Sequence, residues 1–441
     1  MKQTIRIGCG AGFSGDRLEP ALILAEQGNL DYLVLECLAE RTIALAQKRK
    51  LADSSKGYDL LLERRMTMLL PALYKNKIKL ITNMGAANPM AAAQKIIELA
   101  KQAGIDIKVA AVTGDDVLNV LKQPDTNLNV LETGRPLSSY AIVAANAYLG
   151  ADAIVSALQQ EADIVITGRV ADPSLFLAPM MHAFGWKQTD YDLLGKGTVV
   201  GHLLECAGQI TGGYFADPIK KPVPNMHLLG HPIAEVSSNG TAVITKVEGT
   251  GGCITLQTAK EQLLYEVVNP HQYITPDVVA DFTTVQLQQQ AVDRIRMTGG
   301  SGAAAPATLK VSVGYKAHYC GEGEITYAGP AAKERATLAA SIIQQRLQNQ
   351  FADLRIDFIG IQSTHQKKFN NNTATEVRLR IAATATNAAN AALIGEEVEA
   401  LYTNGPAGGG GVRKYTNEVL GVVSVLLPRE KATPLVTYFN T

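Results

Sequence analysis

A strand, loop and helix alternation fills the first half of this sequence and leaves few folds open to it. Short apolar runs, "TIRIGC", "DYLVLEC", "IKLITNMG", "IKVAAVTG" and "ADIVITG", each lead into a polar or glycine-rich loop. Between them lie the helical patterns "PALILAEQG", "AERTIALAQKRK", "NPMAAAQKIIELAKQAG" and "DAIVSALQQEA". Unbroken apolar runs suit strands buried on both faces, and strands joined through helices run parallel. The expectation is an α/β domain over residues 1–225, a mostly parallel sheet with helices on both faces. Asn88-Pro89 and Asp172-Pro173 set a capping side chain before a proline at a helix start, and Gly28 and Gly104 mark helix ends.

After residue 225 strands dominate. "EVSSNGTAVITKV" is a hairpin pattern turning at Asn239-Gly240, and "EVRLRIA" alternates with period two. Two long helical patterns, "AKERATLAASIIQQRLQ" and "NAANAALIGEEVEALY", suffice to cover one face of a sheet. Residues 226–441 are therefore expected to form a smaller α+β domain, with a glycine-rich loop at 404–414. A chain of 441 residues, 46% of them hydrophobic, can bury two cores of ordinary size.

Charge narrows the function. Lys and Arg number 41, as do Asp and Glu, with no block of one sign, which argues against nucleic acid as a partner. No apolar stretch nears the roughly 20 residues a membrane helix needs, and no signal-peptide core precedes "TIRIG", so the expected location is cytoplasmic. The cysteines at 9, 37, 206, 253 and 320 are odd in number and scattered, as reduced thiols are. Neutral net charge and a second domain with open sheet edges point to a homo-oligomer.

The loop "GCGAGFSGDRLEP" contains Gly10-x-Gly12-x-x-Gly15, the outline of a dinucleotide fingerprint. Pro20 argues against it: inside such a helix a proline costs about 3 kcal/mol, so the helix is expected to start near Glu19-Pro20. Asp16 and Glu19 would also repel a pyrophosphate. Glu36 imitates the ribose-binding acid, which keeps an NAD(P) oxidoreductase as a third reading. The favoured reading is a catalytic or substrate loop presenting Asp16 and Arg17.

The other strand ends carry further polar groups, and ligands of open α/β sheets bind there. They offer Glu36, then Asn83 and Asn88 in "TNMGAANP", Asp115 and Asp116 in "TGDD", and Thr167, Arg169 and Asp172 in "TGRVADP". Asn88 and Asp172 also read as helix caps, and the two aspartates of "TGDD" as solvated turn residues. Arg169 needs an anionic partner, either a substrate carboxylate or an internal Glu36 or Asp16. His202, Glu205 and Cys206 share one face if "GHLLEC" is helical, and a His–carboxylate pair can shuttle protons. The same spacing suits a helix with a buried cysteine; Cys206 has only His202 at hand to activate it. Two ligands fall short of a catalytic zinc site, so no metal centre is expected, while a divalent ion on Asp115, Asp116 or Glu36 stays open. Gly409, Gly410 and Arg413 can form an anion nest, or a hinge before the last strand. Tyr214, Tyr327 and Trp186 read as core or pocket wall.

Taken in order, "GAGFSGDRLEPALILAEQGNLDYLVLECLAERTIALAQ", "TNMGAANP", "VTGDDVL", "NAYLGADAIVSAL", "DIVITGRVADPSLFLAP", "GHLLECAGQITGGYFADP", "KVSVGYK", "GEGEITYAGP" and "NGPAGGGGVRK" resemble the acyclic terpene utilisation family, AtuA. The resemblance spans nearly the whole chain. It implies a part in the breakdown of branched terpenoid and other organic acids handled as coenzyme A thioesters, beside a small partner protein. The resulting expectation is an enzyme acting on a branched or small carboxylic acid or its thioester, a lyase or hydratase, with no cofactor other than coenzyme A carried by the substrate. Asp16, Glu36, Asp115, His202 and Glu205 are the candidate acids and bases. Arg17, Asn83, Asn88, Thr167, Arg169, Asp172, Gly409, Gly410 and Arg413 are the candidate substrate contacts. A non-catalytic ligand-binding or scaffold subunit working with the small partner is the alternative.

Overall fold

β1 (Thr4–Ala11), β2 (Tyr32–Leu35), β3 (Lys79–Thr82) and, further along, β4 (Lys108–Thr113) form where the apolar runs predict them. The structure is a computed structural model and describes residues 3–123, 127–364 and 374–441. α1 (Glu19–Gln27) starts with Pro20 in its first turn and is capped by Gly28, as expected. α2 (Glu40–Ala52), α3 (Leu62–Asn76) and α4 (Pro89–Gln102) follow, the last capped by Asn88, whose side chain accepts from the Ala91 amide. A short α5 (Leu118–Leu121) precedes β5 (Ile142–Ala147), α6 (Asp152–Gln159), β6 (Ile164–Thr167), α7 (Asp172–Phe184) and α8 (Tyr191–Glu205).

β1, β2, β3, β6 and β4 lie side by side and parallel. Alternate residues of these strands face opposite ways. Leu33, Leu35, Leu80, Val109, Ala111, Ile164 and Ile166 pack into one core with α1, α3 and α4. On the other face the Tyr32 hydroxyl meets His182 of α7 at 2.9 Å. The fold is thus α/β, with helices on both faces of a mostly parallel central sheet and further antiparallel sheets.

The chain divides into two compact units, one of Met1–Gly314 with Val422–Thr441, the other of Tyr315–Gly421. This differs from a boundary at 225/226. The Asn239-Gly240 turn does join a hairpin, β7 (Pro232–Ser237) with β8 (Ala242–Lys246), but β7 pairs antiparallel with β1. The free edge of β1 thereby recruits the hairpin into the first sheet, and a composition change cannot show which edge a hairpin will join. α9 (Leu256–Leu264), β9 (Tyr273–Ile274), β10 (Val279–Asp281), β11 (Gln286–Ala291), β12 (Arg294–Thr298) and β13 (Ser301–Ala303) belong to the same unit. β12 adds to β8 and β11 to β12, while β9, β10 and β13 form a small sheet of their own.

β14 (Thr308–Ala328) carries the chain into the second unit, where α10 (Ala332–Leu347), β15 (Arg355–Ile359), β16 (Glu376–Ala385) and α11 (Ala388–Asn404) follow. β17 (Gly409–Pro428) carries it back. This unit is α+β: β15, β16, β14 and β17 lie in that order, and Ile325, Tyr327, Leu379 and Ile381 pack with Ala336, Ile343, Ile394 and Val398 of the two helices. β18 (Leu435–Asn440) ends in the first unit, antiparallel against β4.

Candidate functional site

Parallel strands end on one side of their sheet, so the loops after β2, β3, β4 and β6 converge. Glu36, 7% exposed, follows β2 and accepts hydrogen bonds from the Leu38 amide and the Asn83 side chain, both at 2.9 Å. Asn83, just past β3, also accepts from the Cys37 amide at 2.7 Å and so ties two strand ends together. Asp115 after β4 accepts from the Arg169 amide at 2.8 Å and from Asn146 at 2.9 Å. Gly168 must be glycine here, because a Cβ would stand 2.5 Å from both Asp115 carboxylate oxygens.

Arg169 is the centre of the group and is 2% exposed. Its guanidinium donates to the Leu38 carbonyl, lies 3.4 Å from the Asp172 carboxylate and sits over the Tyr148 ring, 4.1 Å from its centroid. Asp16, one of the internal partners expected for it, instead caps its own loop. Tyr148 donates its hydroxyl to Glu40. Lys310 lies 5.1 Å from the same ring and 3.5 Å from Glu40. β5 brings these together, since the Tyr148 amide that follows it donates to the Lys310 carbonyl of β14 at 2.9 Å.

One guanidinium among several carboxylates pulls their protonation apart. Burial, then the charge of Asp172, raises Glu36 well above the carboxylate range. Burial pushes Asp172 up to about 7 against the pull of Arg169, with Glu205 and Glu40 adding to the rise. Asp115 is pushed up to about 6 by burial, against its bonds to the Arg169 amide and Asn146. For Glu40 burial is outweighed by Arg169 and the Tyr148 hydroxyl, which hold it down at about 2. Burial also works against the charge of Arg169, yet Asp172, Tyr148, Glu40 and Glu36 more than offset it and keep the guanidinium charged.

α8 supplies a second pair. His202 Nδ1 and Glu205 Oε1 are 2.7 Å apart on one helical face. The His202 ring packs against Tyr273 and Phe282, with centroids at 5.2 and 5.4 Å. Burial raises Glu205, and His202 pulls it back. α7 begins against α8 at Gly201, where a Cβ would stand 2.8 Å from the Pro173 carbonyl. Buried polar atoms are nearly always hydrogen-bonded. Yet Arg169 Nε, His202 Nε2 and Glu205 Oε2 are buried with no such partner, as are Gln209 Nε2 and Gln262 Oε1, and Asp172 Oδ1 has only its ion pair with Arg169. Asp172, Tyr148, Tyr273 and Lys310 open onto a cavity of about 220 Å³ whose other walls are mainly apolar, among them Ile274, Pro276, Pro306 and Leu309.

Several expected residues serve other ends. Asp16 accepts from the amides of Gly12 at 2.6 Å and Phe13 at 3.3 Å, the N–H groups a phosphate would take. Gly12 is glycine because the Cys206 backbone crosses it, a Cβ there lying 2.5 Å from the Cys206 carbonyl carbon. Arg17 donates to the carbonyls of Met226 and His227. Asn88 caps α4 and holds the Ser54 and Lys56 carbonyls. Asp172 is not a cap: it is the first residue of α7 and its side chain turns to Arg169. Thr167 donates to the Gly168 carbonyl. The Cys206 thiol is pushed up by burial, then by Glu205, the reverse of what a nucleophile needs. Asp116 accepts from the Leu118 amide at 3.2 Å. Gly409, Gly410 and Arg413 open β17 in the second unit, whereas the strand-end group is built of first-unit residues. Tyr148, Asn146, Tyr273 and Lys310 gave no signal in the sequence: each follows or lies on a strand far along the chain from the loop it completes. Arg65, 1% exposed, was also unforeseen; it donates to Cys37 Sγ and to the carbonyls of Ser14 and Asp16, which fastens the opening loop.

Among the described residues no group of three His, Cys, Asp or Glu side chains could hold a metal ion, and no helix is long and apolar enough to cross a membrane. Fold and site together define an α/β protein with a buried arginine–carboxylate group at the ends of its parallel strands. The family model for the acyclic terpene utilisation family protein AtuA matches residues 5–438, and the chain belongs to that family. No curated protein and no solved structure matches it.

Proposed function

We propose that this member of a terpene-utilisation family is an enzyme that adds or removes water at a branched or small carboxylic acid, or at its thioester, by acid–base chemistry. The observation that carries this reading is an ion pair of the buried Arg169 with Asp172 and a buried His202–Glu205 pair, with polar atoms of Arg169, His202 and Glu205 left without a hydrogen bond and Asp172 opening onto a small cavity. Elimination needs a base for the proton next to the carbonyl, an acid for the departing hydroxyl and a cation for the developing enolate. Asp172, poised at about 7, is the base. Lys310 on the cavity wall takes the carboxylate or carbonyl oxygen, and Arg169 steadies the ionised Asp172. The His202–Glu205 pair, packed behind Tyr273, supplies the proton that leaves with the hydroxyl as water. Ile274, Leu309 and the prolines form an apolar wall suited to branched alkyl groups, and about 220 Å³ suits a small head group, being below the about 300–1,000 Å³ of sites for drug-sized ligands.

The test is turnover of branched hydroxy acids and of their coenzyme A thioesters, followed through the conjugated double bond formed. Asp172→Asn is expected to lower kcat by about 10²–10⁴-fold with the fold intact. Full activity in that variant overturns the assignment of the base. Tight binding without turnover, restored by no substrate in the panel, favours the ligand-binding subunit that acts with a small partner protein.

A further inference from the structure

The largest cavity among those described lies at the other end of the same strands. It measures about 580 Å³ and is built from the end of α3, the residues that open β3, and the residues just before β4 and at the start of β6. Its floor is aliphatic: Leu70, Leu73, Ile78, Ile107 and Ile164. Its charged lining is Lys75, Lys77 and Lys79 with Asp106 and Asp163, an excess of one positive charge. Asp163 is already engaged, accepting from the Lys108 amide at 2.8 Å. Lys79 donates to the Ala162 carbonyl at 2.8 Å, while Lys75 and Lys77 stand exposed.

We propose that this cavity is a second ligand site, for an amphipathic carboxylate with a flexible aliphatic body and a single anionic head. The volume falls inside the range of about 300–1,000 Å³ typical of small-molecule sites. An aliphatic floor with Tyr74 as its one aromatic neighbour favours a flexible chain over a planar ring. Ammonium groups at the rim attract a carboxylate as point charges while its tail displaces water from the floor. Strands advance about 3.3 Å per residue, so a ligand here is separated from the catalytic group by the whole length of β3, β4 and β6. The site binds and does not react, and it is independent of the function proposed above.

The experiment is titration calorimetry of the full chain with octanoate, nonanoate, decanoate and decanol, on the parent protein, on a Lys75→Glu, Lys77→Glu double variant and on Asp172→Asn. Affinity is expected to rise about fourfold per methylene as the floor is covered. Decanol and the double variant are each expected to bind about tenfold or more weakly, and Asp172→Asn to bind decanoate as the parent does. Both lysines are exposed, so the double variant should keep its fold, checked by circular dichroism. Absence of decanoate binding, binding unchanged in the double variant, or binding lost in Asp172→Asn overturns the proposal, the last by placing the ligand at the strand C-termini.

Discussion

Burial raises the carboxylates of both Asp172 and Asp277, and each shift can be tested by titration. If Asp172 is the base, kcat/KM should rise with pH to a midpoint near 7, and that limb should vanish in Asp172→Asn. Asp277 offers a stability test outside the proposed chemistry. It accepts from the Ala151 amide at 2.8 Å and from Ser174, and burial pushes it up to about 6. An unfolded aspartate titrates near 3.9, so the native state holds this proton more tightly, and the stability it contributes below about pH 4 is lost as pH rises to about 6. Asp277→Asn should flatten the decline of Tm between pH 4 and 6, an effect worth about 2–3 kcal/mol by linkage; an unchanged slope would assign the decline to other carboxylates. Glu36, Asn83, Arg169, His202 and Glu205 could be picked from the sequence because each follows an apolar run or keeps helical spacing. Their states of charge could not, since those depend on burial and on neighbours far along the chain.

Elements position these residues through close approaches that glycine permits. Gly201 lets the first turn of α7, with Asp172, rest on α8 beside His202. Gly201→Ala should force the two helices apart and cost about 1–3 kcal/mol, as overpacking does, with activity falling more than the lost folded fraction explains. Equal specific activity per folded molecule would show that the α7–α8 spacing is immaterial. Element starts were readable wherever local chemistry sets them: Pro20 at α1, Asn88-Pro89 at α4 and the Asn239-Gly240 turn. α3 carries Pro71 inside it, and its helix continues because Leu62, Met66, Leu69 and Leu73 pack into the core. Asp172 has the sequence of a cap and the geometry of an active-site acid, because the buried Arg169 attracts its carboxylate more strongly than a helix terminus does.

The whole molecule has two compact units, and the second carries its own core between α10, α11 and its sheet. Units with separate cores tend to unfold separately. Calorimetry should therefore show a measured enthalpy larger than the van't Hoff value, and hydrogen exchange should divide residues 315–421 from the rest; one coincident transition would mean the two are coupled. The parallel strands, the helices over both faces, the loops that gather at the strand ends and the family were all legible in the sequence. Those features follow from local periodicity and turn chemistry, which a short window of residues contains. The tertiary structure alone decided that the hairpin after residue 225 extends the first sheet, that β18 closes its far edge, and that Tyr148, Tyr273 and Lys310 complete the site begun by Arg169. Edge pairing and burial are properties of residues distant in sequence and adjacent in space, and no local pattern encodes which distant partner will arrive.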